Sequence, residues 1–238
     1  MSKISYNNFG LVGKLKSNLD LCSGRYKWMN KYYSDIINDI SIKLELNKND
    51  KLFDIGCGSG KIVNSLSHLV KKSSAIDHPN IINSINYKKI NFIKGDILKI
   101  KLSNKKFDKI LIYSLVHYLK NTEELFKLIR KSFQILNKNG ILLIGDIPNI
   151  DKKKRFKNSI NFKKINNEWQ SNNLKLTPIE KEIENKLEID KKIIKINDKL
   201  IYDILKKYTN NKSECYLLKQ NKKLPMNNTR VDILIKKL

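Results

Sequence analysis

Two rhythms of apolar and polar residues alternate along the chain. "WMNKYYSDIINDISIKLEL" (28–46) sets Ile36, Ile37, Ile40 and Leu44 at helical spacing, whereas "KLFDI" (51–55) is a short run of strand length. "KIVNSLSHLVKK" (61–72) returns to an amphipathic helical pattern, and "SSAID" (73–77) predicts a second strand stopped by His78-Pro79. A third strand is expected at "INFIKGD" (90–96) and a fourth at "FDKILIYS" (107–114). A helix capped by Thr122 follows over 122–136, and "NKNG" (137–140) ends it before a fifth strand at "ILLIGD" (141–146). Near-continuous Ile/Leu strands separated by helices predict a parallel sheet covered on both faces. The chain closes differently. "ECYLLKQ" (214–220) and "RVDILIKKL" (230–238) have only a loop between them, so an antiparallel pair is expected at the end of the sheet.

At 238 residues with 40% hydrophobic content, the chain suits one domain with an embellishment. We divide it into an N-terminal helical or lid segment (1–46), a core (47–146), an insertion of weak helical periodicity (147–196), and a last helix with the hairpin (197–238). No apolar run approaches the ~20 residues that span a bilayer, and the N-terminus lacks the apolar stretch of a signal peptide. Three cysteines without CxxC spacing argue against a disulfide framework or zinc site, and His68, His78 and His117 share no ligand spacing, so no metal is expected. A cytoplasmic location is the expectation.

The net charge of +25 raises a nucleic-acid reading, but only four of 48 basic residues are Arg: Arg25, Arg130, Arg155 and Arg230. Arg is the better residue for bidentate phosphate and guanine contacts. The excess of Lys, Asn and Ile reads as a solvated surface of biased composition, so nucleic acid is an alternative partner and not the favoured one.

The chemistry concentrates in "LFDIGCGSGKI" (52–62). A Gly-rich turn from strand to helix brings backbone N–H groups close to a ligand. The spacing is GxGxG over Gly56, Gly58 and Gly60, which matches neither a P-loop nor the GxGxxG dinucleotide fingerprint. Asp54, two residues before the first glycine, would repel a pyrophosphate and suits a cationic ligand such as an amine or sulfonium.

These residues resemble motif I of the class I S-adenosylmethionine-dependent methyltransferases, and other positions of that family follow in order. Asp77, closing "SAID", matches the acid that binds the ribose hydroxyls. Asp96 in "KGDIL", followed by Ile97, matches the acid facing the adenine amino group, and "FDKILIYSLVHYL" (107–119) matches the fourth-strand pattern. The resemblance covers about 28–146 and 197–238. It implies a Rossmann-like, doubly wound, mostly parallel α/β fold with a seven-stranded sheet ending in an antiparallel hairpin. It also implies S-adenosyl-L-methionine as cofactor, with S-adenosyl-L-homocysteine as product. Asp54, Gly56, Cys57, Gly58, Gly60, Asp77, His78, Asp96, Ile97 and Tyr113 form the expected cofactor site. Cys57 is read as a small packing residue within it, since in-line methyl transfer needs no covalent intermediate.

At the rim beyond the fourth and fifth strands, His117 and Asp146 are the candidate catalytic residues. His117 is either a general base or a packing and cofactor contact, and Asp146 either a second base or a turn acid before Pro148. The fourth strand lacks the Pro-Pro-aromatic motif of base-amino methylation, and no cysteine pair of the cytosine-C5 type is present. The acceptor expected is a small molecule, anionic or a nucleotide-sugar, methylated at oxygen. "IGDIPN…KKKRF" is similar to methyltransferases of surface-polysaccharide pathways. Segments 6–33 and 147–196 should shape the acceptor site, with Lys152, Lys153, Lys154 and Arg155 either meeting an acceptor anion or standing as a solvated charge run. The alternatives are an RNA- or ribosome-associated methyltransferase and a non-catalytic partner subunit of the same fold.

Overall fold

Lys51–Ile55 (β1), Lys72–Asp77 (β2), Ile90–Lys94 (β3), Phe107–Tyr113 (β4), Leu136–Pro148 (β5), Ser213–Lys219 (β6) and Arg230–Lys237 (β7) form one sheet in the order β3-β2-β1-β4-β5-β7-β6. This computed structural model describes residues 3–14, 19–23, 25–102, 106–173, 175–178, 180–181 and 193–238. Residues 15–18 and 24 of the N-terminal segment, and 174, 179 and 182–192 of the insertion, lie outside the described residues. β1 pairs in parallel with both β2 and β4, and β7 runs antiparallel between β5 and β6. The winding therefore reverses between β1 and β4, which opens a crevice at their C-terminal ends, where open α/β sheets bind ligands.

The helices are Lys3–Lys14 (α1), Tyr33–Lys43 (α2), Lys61–Leu66 (α3), Pro79–Ile82 (α4), Thr122–Ile135 (α5), Ile150–Lys157 (α6), Phe162–Asn173 (α7) and Asp198–Tyr208 (α8). β4 shows why the sheet is covered on both sides. Ile110 and Ile112 join the cluster with Leu128, Ile129 and Ile204 of α5 and α8, whereas Leu111 joins Ile36, Ile40 and Val63 of α2 and α3. All three β4 residues are fully buried, each contributing ~2 kcal/mol of hydrophobic stabilisation. Among the described residues no helix is long and apolar enough to cross a membrane.

Several boundaries differ from the sequence reading. The pattern over 28–46 resolves into a 3-10 turn, Lys27–Tyr32, followed by α2. The helix expected to reach residue 72 ends in a 3-10 turn at Leu69, because Lys72 already pairs with Lys51 in the sheet. Asn121, not Thr122, caps α5: its side chain accepts from the Glu124 N–H at 3.0 Å. β5 begins at Leu136 rather than 141, since Leu136 pairs with Phe107 before the register shift that precedes Lys109. Among its described residues, the irregular insertion contains the helices α6 and α7.

Candidate active site

Asp54 stands near the end of β1 with 3% of its surface exposed and forms no ion pair among the described residues. Burial, and then the charge of Asp77, push its carboxyl up to about 8, with the Arg25 guanidinium pulling the other way. Asp77, ending β2, accepts from the Gly58 N–H at 2.7 Å and the His78 N–H at 2.6 Å. Burial still outweighs these bonds and raises it to about 6. Gly58 has φ +52°, and a Cβ there would collide with Ser23, whose Cα would be 2.9 Å away. The glycine is required both for the left-handed turn and for the close approach of the N-terminal segment. Ser23 Oγ accepts from the Ser59 N–H at 2.9 Å, which ties that segment to the turn.

Two adjoining small cavities lie over this turn. One is lined by Asp54, Gly56, Cys57, Asp77 and Tyr113 together with Arg25. The other is lined by Gly56, Asp77, Asp96 and Ile97, with Tyr6 of α1 across from them. Seven of the ten expected cofactor residues thus meet in one crevice. Gly58, Gly60 and His78 do not line it. Gly58 reaches the site through its N–H on Asp77, and Gly60, at φ +74°, starts α3. His78 Nδ1 accepts from the Asn80 N–H at 3.1 Å, capping α4, and its ring packs on Tyr6 at 4.5 Å between centroids. Asp96 accepts from the Leu98 N–H at 2.9 Å. The Cys57 thiol is pushed well up by burial, which disfavours the thiolate that a nucleophile would need.

Arg25 was counted in the sequence but not assigned to the site. It is 8% exposed, lies 5.9 Å from the Tyr33 ring centroid and 5.5 Å from that of Tyr113, and donates to Ser114 Oγ at 3.2 Å. Arg230 lies at the same rim. The signal available was rarity: two of four arginines in a Lys-rich chain stand here.

A larger cavity of ≈ 220 Å³ adjoins the first, walled by Arg25, Tyr26, Tyr113, His117, Asp146, Gln220 and Arg230 among others. Its floor is two residues in left-handed backbone, Ser114 (φ 55°) and Asp146 (φ 57°), at the adjacent ends of β4 and β5. The Ser114 hydroxyl donates to Asp146, Gln220 Nε2 donates to it at 3.2 Å, and Arg230 Nε stands 3.8 Å away. Burial alone would raise the Asp146 carboxyl, but Arg230, Arg25 and Ser114 outweigh it and hold it below the usual carboxylate range. His117 is the opposite case: burial, aided by the charges of Arg230 and Arg25, pushes it down to about 3, against the pull of Asp146. The imidazole is therefore neutral, and Asp146 is an ionised, fully engaged anchor. Three buried polar atoms around this cavity have no hydrogen-bond partner: His117 Nδ1, Gln220 Oε1 and Arg230 Nε. Each such group costs ~1–3 kcal/mol while unpaired, so a guest that hydrogen-bonds to them would be favoured.

The insertion closes the outer side. Trp169 of α7 meets Trp28 edge-on at 5.1 Å, and Glu180 accepts from the Lys27 N–H at 3.0 Å. The basic run is mostly engaged elsewhere: Lys152 donates to the carbonyls of Asn227 and Arg230, Lys154 pairs with Asp151, and Arg155 with Asp198.

The donor set fits a ligand with a cationic end and hydroxyls, since the buried Asp54 and the half-buried Asp77 have no protein cation paired to them among the described residues. A family model described as a methyltransferase domain matches residues 53–144, the span carrying the Gly-rich turn, Asp77, Asp96 and His117. This segment matches a methyltransferase domain. A putative methyltransferase 235L of Invertebrate iridescent virus 6 is 27% identical over 128 residues, 48% of this chain and 48% of that protein. A probable cobalt-precorrin-6B C(15)-methyltransferase (decarboxylating) of Saccharolobus solfataricus is 33% identical over 120 residues, 44% of this chain and 56% of that protein. The chain thus spans about half the length of the curated relatives it matches. The methyltransferase domain and its flanks superpose on the N-methyltransferase NodS of Bradyrhizobium japonicum WM9, solved with S-adenosyl-L-homocysteine, with TM-score 0.61 over 98% of both chains at 13% identity, a likeness of fold alone.

Proposed function

We propose that this protein transfers a methyl group from S-adenosylmethionine to a heteroatom of a small polar acceptor held beside His117. The observation that carries the reading is the pairing of an acid-lined crevice over Gly56 with a larger cavity lined by both charged and aromatic side chains, the two sharing Arg25, Tyr113, Ser114 and Tyr118 as common walls. The cofactor supplies a methyl group on a sulfonium, which is displaced in line by the acceptor. Asp54 holds the cationic amino-acid end, Arg25 its carboxylate, Asp77 the ribose hydroxyls, and Asp96 with Ile97 the adenine. Tyr6 and α1 shelter the crevice from water, which favours displacement by the acceptor over hydrolysis.

His117 is proposed as a positioning group for the acceptor. A neutral imidazole pushed down to about 3 is too weak a base for an aliphatic alcohol but can hydrogen-bond an acidic hydroxyl or an amine. Oxygen methylation is accordingly proposed for an acidic hydroxyl, such as a phenol or a carboxylic acid. Asp146 orients Ser114, Gln220 and Arg230 around the guest. An anionic or sugar-like acceptor is supported by the unpaired Arg230 Nε–H and Gln220 Oε1.

Calorimetric titration with S-adenosylmethionine and S-adenosylhomocysteine, with NAD as control, tests the cofactor assignment. Binding of the first two and not of NAD is expected; a folded protein that binds neither rejects the reading. Once an acceptor is in hand, His117→Asn should lower kcat/KM by about tenfold without removing a limb from the pH profile. Loss of a basic limb would show instead that His117 takes the proton. Gly10 packs on the His78 ring with no room for a Cβ. Gly10→Val should therefore lift α1 and weaken S-adenosylhomocysteine binding by about tenfold, a loss that calorimetry would read directly.

A further inference from the structure

A second apolar cavity of ≈ 210 Å³ lies between α6, α7 and the segment before β7. It shares Trp169, Pro225 and Met226 with the acceptor cavity, so these three side chains are the partition between an inner and an outer chamber. The outer walls are Phe156, Phe162 and Ile165, with the two Phe rings edge-on at 5.6 Å. The charges of α6 are sorted about this chamber. Lys154 and Arg155 are paired with Asp151 and Asp198, whereas Lys153 and Lys157, four residues apart and lining the chamber, have no carboxylate partner among the described residues.

Resting on the acceptor cavity assigned above, we propose that the acceptor is amphipathic and occupies both chambers. Its nucleophile-bearing polar end meets His117, Gln220 and Arg230. Its apolar middle crosses Trp169, Pro225 and Met226, and its far end is an anion held by Lys153 and Lys157. Met226 suits the partition because an unbranched thioether repacks readily around a guest. The chain's two tryptophans, Trp28 and Trp169, meet at this wall, so intrinsic fluorescence reports on it.

The probes are ω-hydroxydecanoate, ω-hydroxyhexanoate and decane-diol, titrated by tryptophan fluorescence with S-adenosylhomocysteine present. ω-Hydroxydecanoate should bind at least about tenfold more tightly than the shorter acid, through the extra apolar length. The double variant Lys153→Glu/Lys157→Glu should weaken ω-hydroxydecanoate by about fivefold or more and leave the diol unchanged, whereas reversing Lys163 and Lys164, which do not line the chamber, should change neither. Ile165→Trp, filling the outer chamber, should remove the length preference while S-adenosylhomocysteine still binds. Equal affinity for long and short acids, no binding of any probe, or indifference to the charge reversal overturns the proposal. Failure of S-adenosylhomocysteine to bind the unaltered protein would instead reject the methyltransferase reading, and the probe titrations without it still decide whether the outer chamber binds.

Discussion

Asp54→Asn should abolish tight cofactor binding while making the cofactor-free protein more stable. The loss of affinity is expected at about a hundredfold, the worth of a buried charge-assisted contact of ~3 kcal/mol. The gain in stability follows from linkage. Asp54 is pushed up to about 8 in the folded chain, so the fold gains from its proton at low pH and loses that gain as the pH rises from the unfolded value, about 4, to about 8. By pH 8 the loss is roughly 5 kcal/mol. An unpaired amide N–H in the variant costs ~1–2 kcal/mol, so relief wins by ~3 kcal/mol, raising Tm by about 8 °C. The advantage should vanish at pH ~5 and turn into a deficit of ~1–2 kcal/mol at pH ~4, where the relief is gone and the amide cost remains. Thermal unfolding across this range, paired with calorimetry, measures both. A variant that keeps its affinity would show that Asp54 does not face the ligand, and one less stable at pH 8 would show that its carboxylate already has a partner in the fold.

Arg25→Ala is the second large effect, a weakening of S-adenosylhomocysteine binding by about 30-fold from the loss of ~2 kcal/mol of charged hydrogen bonding. Arg25→Lys should fail to restore it. The planar guanidinium lies near both Tyr33 and Tyr113 while donating to Ser114, and a lysine ammonium cannot stack and donate in this way. Arg130→Ala, on an exposed position of α5, is the control and should leave the titration unchanged. An unaltered dissociation constant in a folded Arg25→Ala protein would place the carboxylate elsewhere.

The acids and glycines lining the crevice over Gly56 were legible in the sequence because they lie close to one another along the chain or at strand ends. The turn after β1 needs glycines at fixed offsets, and Asp54, Asp77 and Asp96 each sit at or beside the end of a strand that the apolar runs mark. The larger cavity beside it was far less legible. Arg25 lies 29 residues before Asp54 by their positions, 25 and 54, and Gln220 and Arg230 come from the opposite end of the chain. Nothing periodic marks them. The His117 and Asp146 readings had been left open between base and structural roles. What separates them is burial, which pushes the His117 imidazole down with help from Arg230 and Arg25, whereas at Asp146 the two arginines and Ser114 outweigh burial and keep the carboxyl low.

The boundaries show the same division. The cap on α5 moved from Thr122 to Asn121 because either residue can cap, and only backbone geometry decides which is the last non-helical one. β5 began early because cross-strand pairing with Phe107 overrode a turn-like stretch. The sequence by itself determined the succession of the strands along the chain, the direction of the first five, the turn over Gly56 and the acids around it, since periodicity and spacing are properties of neighbouring residues. Tertiary structure alone decided which distant side chains share a cavity, which carboxylates lose their solvent and which find a guanidinium. Burial and charge pairing depend on distances in space that spacing along the chain does not encode.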